Sequence, residues 1–264
     1  MAGFAAGTPC WMDAMFTDLE GAKSFYGDVL GWTFGESASE YGNYTEAYRD
    51  GQAVAAVVPP MPGQESQSAW CLYFASPDAE ATAAAVTGNG GEIVMGPMRV
   101  GDFGTMLLAR DPGGVLFGVW QAGTHEGFSA SGAPGAFAWA EVCTRDPEAS
   151  DRFFGSLFSY RVRRMAGGEM DYATFALGEE PLLGRMDMRG QVPDEVAPFI
   201  NVYFAVEDCD DAVARAVKHG AKITMQPADT PFGRVAALID PQGAACSLVN
   251  PAAAKGEMPE WSDA

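Results

Sequence analysis

Two carboxylates, Asp13 and Glu141, stand 128 positions apart in the same local setting. Asp13 is flanked at two-residue spacing by Trp11 and Met15, and Glu141 by Trp139 and Cys143, so on an extended strand each trio shares one face. A carboxylate kept from water by apolar neighbours titrates closer to neutrality, where it can serve as a general acid or base. Glu141 is the leading candidate for that role and Asp13 its counterpart. The competing reading pairs Glu141 with an arginine such as Arg145, Arg161 or Arg163. Cys143 raises the question of a nucleophile, but no histidine lies near it in sequence, and a buried structural thiol is the commoner case.

The elements that must position these carboxylates are themselves duplicated. The stretch WMDAMFTDLEGAKSFYGDVLGW from Trp11 to Trp32 returns from Trp139 to Tyr160 as WAEVCTRDPEASDRFFGSLFSY. In each copy a strand leads to an aspartate, Asp18 or Asp146, suited to cap a helix, because its short carboxylate can accept from free N–H groups of the first turn. Ala22, Phe25, Tyr26, Val29 and Leu30 then recur at helical spacing, matched by Phe153, Phe154, Leu157 and Phe158. Gly31 allows a left-handed exit from the first helix, where the second copy has Ser159.

Short aromatic and β-branched runs follow at 32–34, 41–48 and 53–58, broken by turn residues such as Asp50-Gly51. Pro59, Pro60, Pro62 and Gly63 read as a connector. A strand at 70–75, a helix over about 78–87 and three more strands then restate the order, the last two joined by Asp111-Pro112-Gly113-Gly114. Residues 123–135, rich in Gly, Ser and Ala, read as a flexible linker. The second half repeats the plan, with a strand at 199–206, a helix over 208–219, Phe232-Gly233 answering Phe103-Gly104, and Asp240-Pro241-Gln242-Gly243 answering the earlier turn. The expected organisation is therefore an α+β chain with domains at 1–122 and 136–251, a linker at 123–135 and a tail at 252–264.

The 264 residues can bury two cores, and 48% hydrophobic with 11% aromatic content argues against disorder despite a net charge of −19. That acidity repels phosphate backbones and anionic lipid, which argues against nucleic acid or membrane partners. Without a basic flank or a long apolar run at its start, the chain is expected to be cytoplasmic. Five cysteines with no CxxC pair fit reduced thiols.

The repeated βαβββ units, FYGDVLGW at 25–32, the capping aspartates and the DPGG and DPQG turns resemble the vicinal oxygen chelate superfamily. That group includes glyoxalase I, bleomycin-resistance proteins, fosfomycin-resistance enzymes and extradiol dioxygenases. Its tandem form is most similar to glyoxalase-like proteins of actinobacteria often called hydroxylases. The resemblance implies two tandem domains, each of two βαβββ modules forming a curved mixed sheet with a cup. It also implies a divalent metal in the cup, but the aligned ligand positions hold Trp11 and Trp139, Trp70 and Asn201, and Gly118 and Ser247. Indole and glycine offer no ligand and the others are weak neutral donors, so no metal and no cofactor is expected.

Aligned in this way, the first cup is lined by Trp11, Asp13, Trp70, Leu72 and Trp120, and the second by Trp139, Glu141, Cys143, Asn201, Tyr203 and Ser247. Tyr203 is expected as a hydroxyl donor and Asn201 as a positioning donor. Such cups suit a small apolar or aromatic ligand, transformed by acid-base chemistry or else sequestered as bleomycin-resistance proteins do. Fusing both domains in one chain leaves monomer and homodimer open.

Overall fold

In a computed structural model the chain is described over residues 3–60, 68–167 and 170–263. Pro62 and Gly63, expected in a connector, lie outside the described residues. The first half runs β1 (Pro9–Met15), α1 (Leu19–Leu30), β2 (Thr33–Phe34), β3 (Thr45–Arg49), β4 (Gln52–Val58), β5 (Trp70–Ala75), α2 (Ala79–Gly88), β6 (Glu92–Val100), β7 (Gly104–Arg110) and β8 (Leu116–Ala122). The second half repeats it as β9 (Phe137–Thr144), α3 (Pro147–Phe158), β10 (Arg161–Met165), β11 (Tyr172–Leu177), β12 (Glu180–Asp187), β13 (Phe199–Ala205), α4 (Cys209–Lys218), β14 (Lys222–Thr230), β15 (Gly233–Ile239) and β16 (Ala245–Asn250). A final short strand, β17 (Trp261–Asp263), closes the chain.

Local chemistry sets the helix starts. Asp18 accepts from the Gly21 N–H at 2.9 Å, Asp78 from Ala81 at 3.0 Å, Asp146 from Ala149 at 3.1 Å and Asp208 from Asp211 at 3.0 Å. Gly31 leaves α1 in the left-handed region, and Ser159 takes the same conformation after α3 without being glycine.

Each half forms one mixed sheet, in the orders β2-β3-β4-β1-β5-β8-β7-β6 and β14-β15-β16-β13-β9-β12-β11-β10-β17. The opening strands β1 and β9 lie centrally. β1 runs parallel to β4 and antiparallel to β5, and β9 has the same relation to β12 and β13. Two βαβββ modules therefore meet at the strands that carry Asp13 and Glu141.

Strand alternation sends one set of side chains to the back of each sheet, and the two backs share a core. The rings of Trp70 and Phe204 lie 5.3 Å apart across it, and those of Phe74 and Phe158 5.2 Å apart. Helix α1 packs on α4, and α2 on α3, so each half covers the other. Tyr26 in α1 donates to Asp240 of the second DPxG turn at 2.9 Å, while His219 at the end of α4 pairs with Asp28 of α1 at 2.9 Å.

One segment differs from expectation. Residues 123–135 have the composition of a flexible linker but are anchored. The Phe128 N–H donates to Cys10 O at 2.7 Å, and the Phe128 ring stacks on Phe137 at 5.3 Å. Two large rings outweigh the freedom of their Gly and Ser neighbours. The tail is a strap: β17 pairs with β10, and Arg161 grips Asp263 with two bonds of 2.8 Å.

Candidate functional site

On the face of each sheet turned away from the shared core, the carboxylate of the opening strand is held by two tyrosines. Tyr203 of β13 donates to Glu141 Oε2 at 2.8 Å, and Tyr172 of β11 donates to Oε1 at 2.8 Å. Trp139 Nε1 donates in turn to the Tyr172 hydroxyl at 3.3 Å. The first half has the same chain. Tyr73 of β5 donates to Asp13 Oδ2 at 3.1 Å, Tyr44 donates to the same oxygen at 3.3 Å, and Trp11 Nε1 donates to Tyr44 at 2.7 Å.

Tyr44, Tyr73 and Tyr172 were missed from the sequence, although Tyr44 and Tyr172 carry the same 128-residue offset as Asp13 and Glu141. The offset was the available signal. Arginines do not occupy Glu141: Arg145 goes to Asp194, and Arg161 to Glu179 and Asp263.

Register corrects two lining residues. Trp70 is opposite Ala14, whereas Cys71 is opposite Asp13, as Asn201 is opposite Glu141. The matching of Trp70 with Asn201 was one residue off, and a one-residue slip turns a side chain to the other face. Trp70 is 6% exposed in the shared core, where its Nε1 donates to the Tyr26 hydroxyl at 3.1 Å. Leu72, two residues on along the strand, is fully buried and follows it out of the cup.

The other expected residues are placed as follows. Trp139 and Trp120 are half-buried on the cup faces, and Trp11 is covered by Phe128 and His125. Asn201 donates to Ser247 Oγ at 2.9 Å. Tyr203 does not present a free hydroxyl, because Glu141 takes it. Cys143 is 1% exposed, and burial pushes its thiol well above the ordinary range, which leaves it protonated rather than nucleophilic.

The two cups balance size differently. Tyr73 leans over Gly118, which stands beside it on β8, while the shorter Asp13 has Ala56 as its neighbour on β4. In the second cup the longer Glu141 has Gly184 as that neighbour, which leaves room for Tyr172, and Ser247 stands beside Tyr203.

Burial raises both carboxyls. Asp13 is pushed up to about 7 by desolvation, which the bonds from Tyr73 and Tyr44 only partly offset. Glu141 is raised for the same reason, against Tyr203, Tyr172 and Asn201. The tyrosines are driven well above their usual range, first by burial, and so remain neutral donors. Asp13 can therefore hold a proton near neutrality and release it to a ligand, or take one up, and Glu141 is shifted in the same direction.

A stability test follows from the sign. Because the fold favours protonated Asp13, its contribution is full below the unfolded value near 3.8 and is lost as pH rises through about 7. Asp13→Asn will therefore melt above the parent at pH 8, and the difference will shrink toward pH 4, by roughly 2–4 °C per kcal/mol. A difference independent of pH, measured by calorimetry, would contradict the assignment.

The family comparison decides where this architecture belongs. The model of the Glyoxalase/Bleomycin resistance protein/Dioxygenase superfamily matches residues 11–119 and again 136–247. The chain belongs to that superfamily. It is 36% identical over 275 aligned positions to the anthracycline biosynthesis protein DnrV of Streptomyces peucetius, covering 97% of this chain and 99% of that protein. Among superfamily structures it resembles the Mn(II)-bound glyoxalase of Novosphingobium aromaticivorans with TM-score 0.65, 16% identity, and 96% and 87% of the two chains covered. The 2,3-dioxygenase LapB of Pseudomonas sp. KL28 gives TM-score 0.66 at 13% identity, covering 97% and 94%. At such identities these structures establish the fold alone.

Members of the superfamily bind small molecules, and the Novosphingobium glyoxalase is Mn(II)-bound. The donor sets here do not fit a divalent ion: Asp13 and Glu141 are each engaged by two phenols, and Glu46, beside Asp13 in the first cup, is taken by the Tyr48 hydroxyl and His125. Among the described residues no group of three or more His, Cys, Asp or Glu is placed to hold one. Also among the described residues, no helix is long and apolar enough to cross a membrane.

Proposed function

We propose that this protein binds a small apolar or aromatic metabolite in its sheet cups and transforms it by proton transfer, without a divalent ion. The single observation that carries the reading is the duplicated chain of tryptophan, tyrosine, carboxyl and second tyrosine. A neutral carboxyl fixed by phenols and kept from water can protonate a carbonyl or leaving oxygen, and in its ionised form can remove an acidic proton. Half-buried Trp120 and Trp139 supply flat apolar surface for a ring. The relation to a protein named for anthracycline biosynthesis supports a natural-product ligand. Two similar halves, each with a carboxyl held by two phenols, support the domains at 1–122 and 136–251 as separate binding units.

Native mass spectrometry of protein purified without chelators tests the reading. The expected spectrum carries an organic adduct and no stoichiometric metal, and it reports whether the chain is a monomer or a homodimer. A full complement of divalent ion would overturn the metal-free mechanism. An adduct bound tightly and never converted would make the protein a sequestering one.

A further inference from the structure

We propose that the N-terminal cup holds a second proton acceptor, His125 positioned by Glu46, and that it takes a planar aromatic molecule through an ionisable hydroxyl donated to His125 Nδ1. This rests on the cup-binding reading and adds a ligand class for one cup.

Glu46 of β3 is in register with Ala56, which is in register with Asp13, so Glu46 and Asp13 share the cup face with one methyl group between them. The Glu46 carboxylate accepts the Tyr48 hydroxyl and lies 3.3 Å from His125 Nε2. The imidazole, more than the phenol, holds the Glu46 carboxyl below its ordinary range, so it faces Nε2 as an anion. An anion at Nε2 selects the tautomer with its N–H there and leaves the lone pair on Nδ1. Nδ1 is buried, and no described residue donates to it. A buried acceptor without a donor is unfavourable until something reaches it.

The surroundings fit an aromatic ring. The indoles of Trp11 and Trp120 meet the imidazole edge-on at 4.5 and 5.8 Å. Trp120 also fixes this segment by donating to His125 O at 2.8 Å. On its other side the same indole, half-buried, lines an open cavity of about 280 Å³ with Phe4, Ala75 and Gln121; His125 does not line it, so a ligand hydroxyl reaches Nδ1 from there only past the Trp120 edge. A flat ligand lying against Trp120 gains burial and offset stacking. Its hydroxyl proton moves to Nδ1 and the O–H bonding pair stays on the ligand oxygen. The imidazolium so formed faces the Glu46 carboxylate, and the proton returns on release.

The C-terminal cup lacks this pair, since Thr174 stands 128 positions on from Glu46 and the other histidine, His219, is bound to Asp28. The proposal is therefore confined to one cup.

Calorimetric titration with 2-naphthol and 2-methoxynaphthalene tests it, because the two differ only in the donated proton and its replacement by methyl. The parent protein should prefer the naphthol about tenfold. His125→Phe keeps a ring in place without a lone pair, and should erase the preference while still binding the ether. Glu46→Gln should reduce the preference with the circular dichroism unchanged; a purely structural role for Glu46 would weaken both probes alike. Equal binding of the two probes by the parent, or a preference retained in His125→Phe, would overturn the role of His125 alone. Failure of the parent to bind either probe would overturn the aromatic cup as well.

Discussion

Turnover of the cup ligand will fall by about 100- to 10,000-fold when Glu141→Gln and Asp13→Asn are combined, the range expected for loss of a general acid or base. Affinity will change little, because the amides preserve shape. In the parent, Tyr172 and Tyr203 both donate to Glu141. In the glutamine variant one tyrosine still donates to the amide oxygen, while the other hydroxyl can rotate to accept from the NH₂. The ordering of the site is kept and only the transferable proton is lost. The single variants apportion the activity between cups: if the N-terminal cup does the chemistry, Asp13→Asn alone carries the loss. Single-turnover measurements separate this from product release. Activity that survives both changes would exclude carboxyl proton transfer in either cup.

The second large effect is structural and starts from glycine. A Cβ added at Gly118 would stand 2.2, 2.5 and 2.6 Å from ring carbons of Tyr73, and one at Gly184 would stand 2.1 Å from the Tyr172 hydroxyl and 2.7 Å from its Cζ. Both phenols are wedged between a sheet and the carboxyl they serve, so neither can move aside without breaking that bond. Gly118→Ala and Gly184→Ala are each expected to cost about 1–3 kcal/mol by overpacking. They should also release the matching carboxyl from one donor. A cycle with Tyr73→Ala decides the cause, since the Gly118→Ala cost should largely vanish once the ring is gone. If the cost persists in that background, the strain lies in the strand backbone.

Much of the candidate site was visible before any fold, and the residues that escaped share a reason. The repeat placed Asp13 and Glu141 on equivalent strands, because a helix cap, a period-two face and a turn are decided within a few residues. Trp70 was matched wrongly because nothing local distinguishes it from Cys71, and only pairing with β1 sets which of them faces Asp13. Tyr172 and Tyr203 reach Glu141 from strands 31 and 62 residues away, so their role depends on how those strands pair. His125 looked like part of a flexible linker. Its company of Glu46, Trp11 and Trp120 exists only because Phe128 anchors that segment across the sheet.

The sequence by itself determined the duplicated βαβββ plan, the capped helices and the strand face of each carboxyl, since these follow from short-range hydrogen bonding and side-chain alternation. Tertiary structure alone decided which phenols hold those carboxyls, which tryptophans turn into the core, and how far water is excluded. Those outcomes depend on register and burial across distant strands, and desolvation there is what raises Asp13 to about 7.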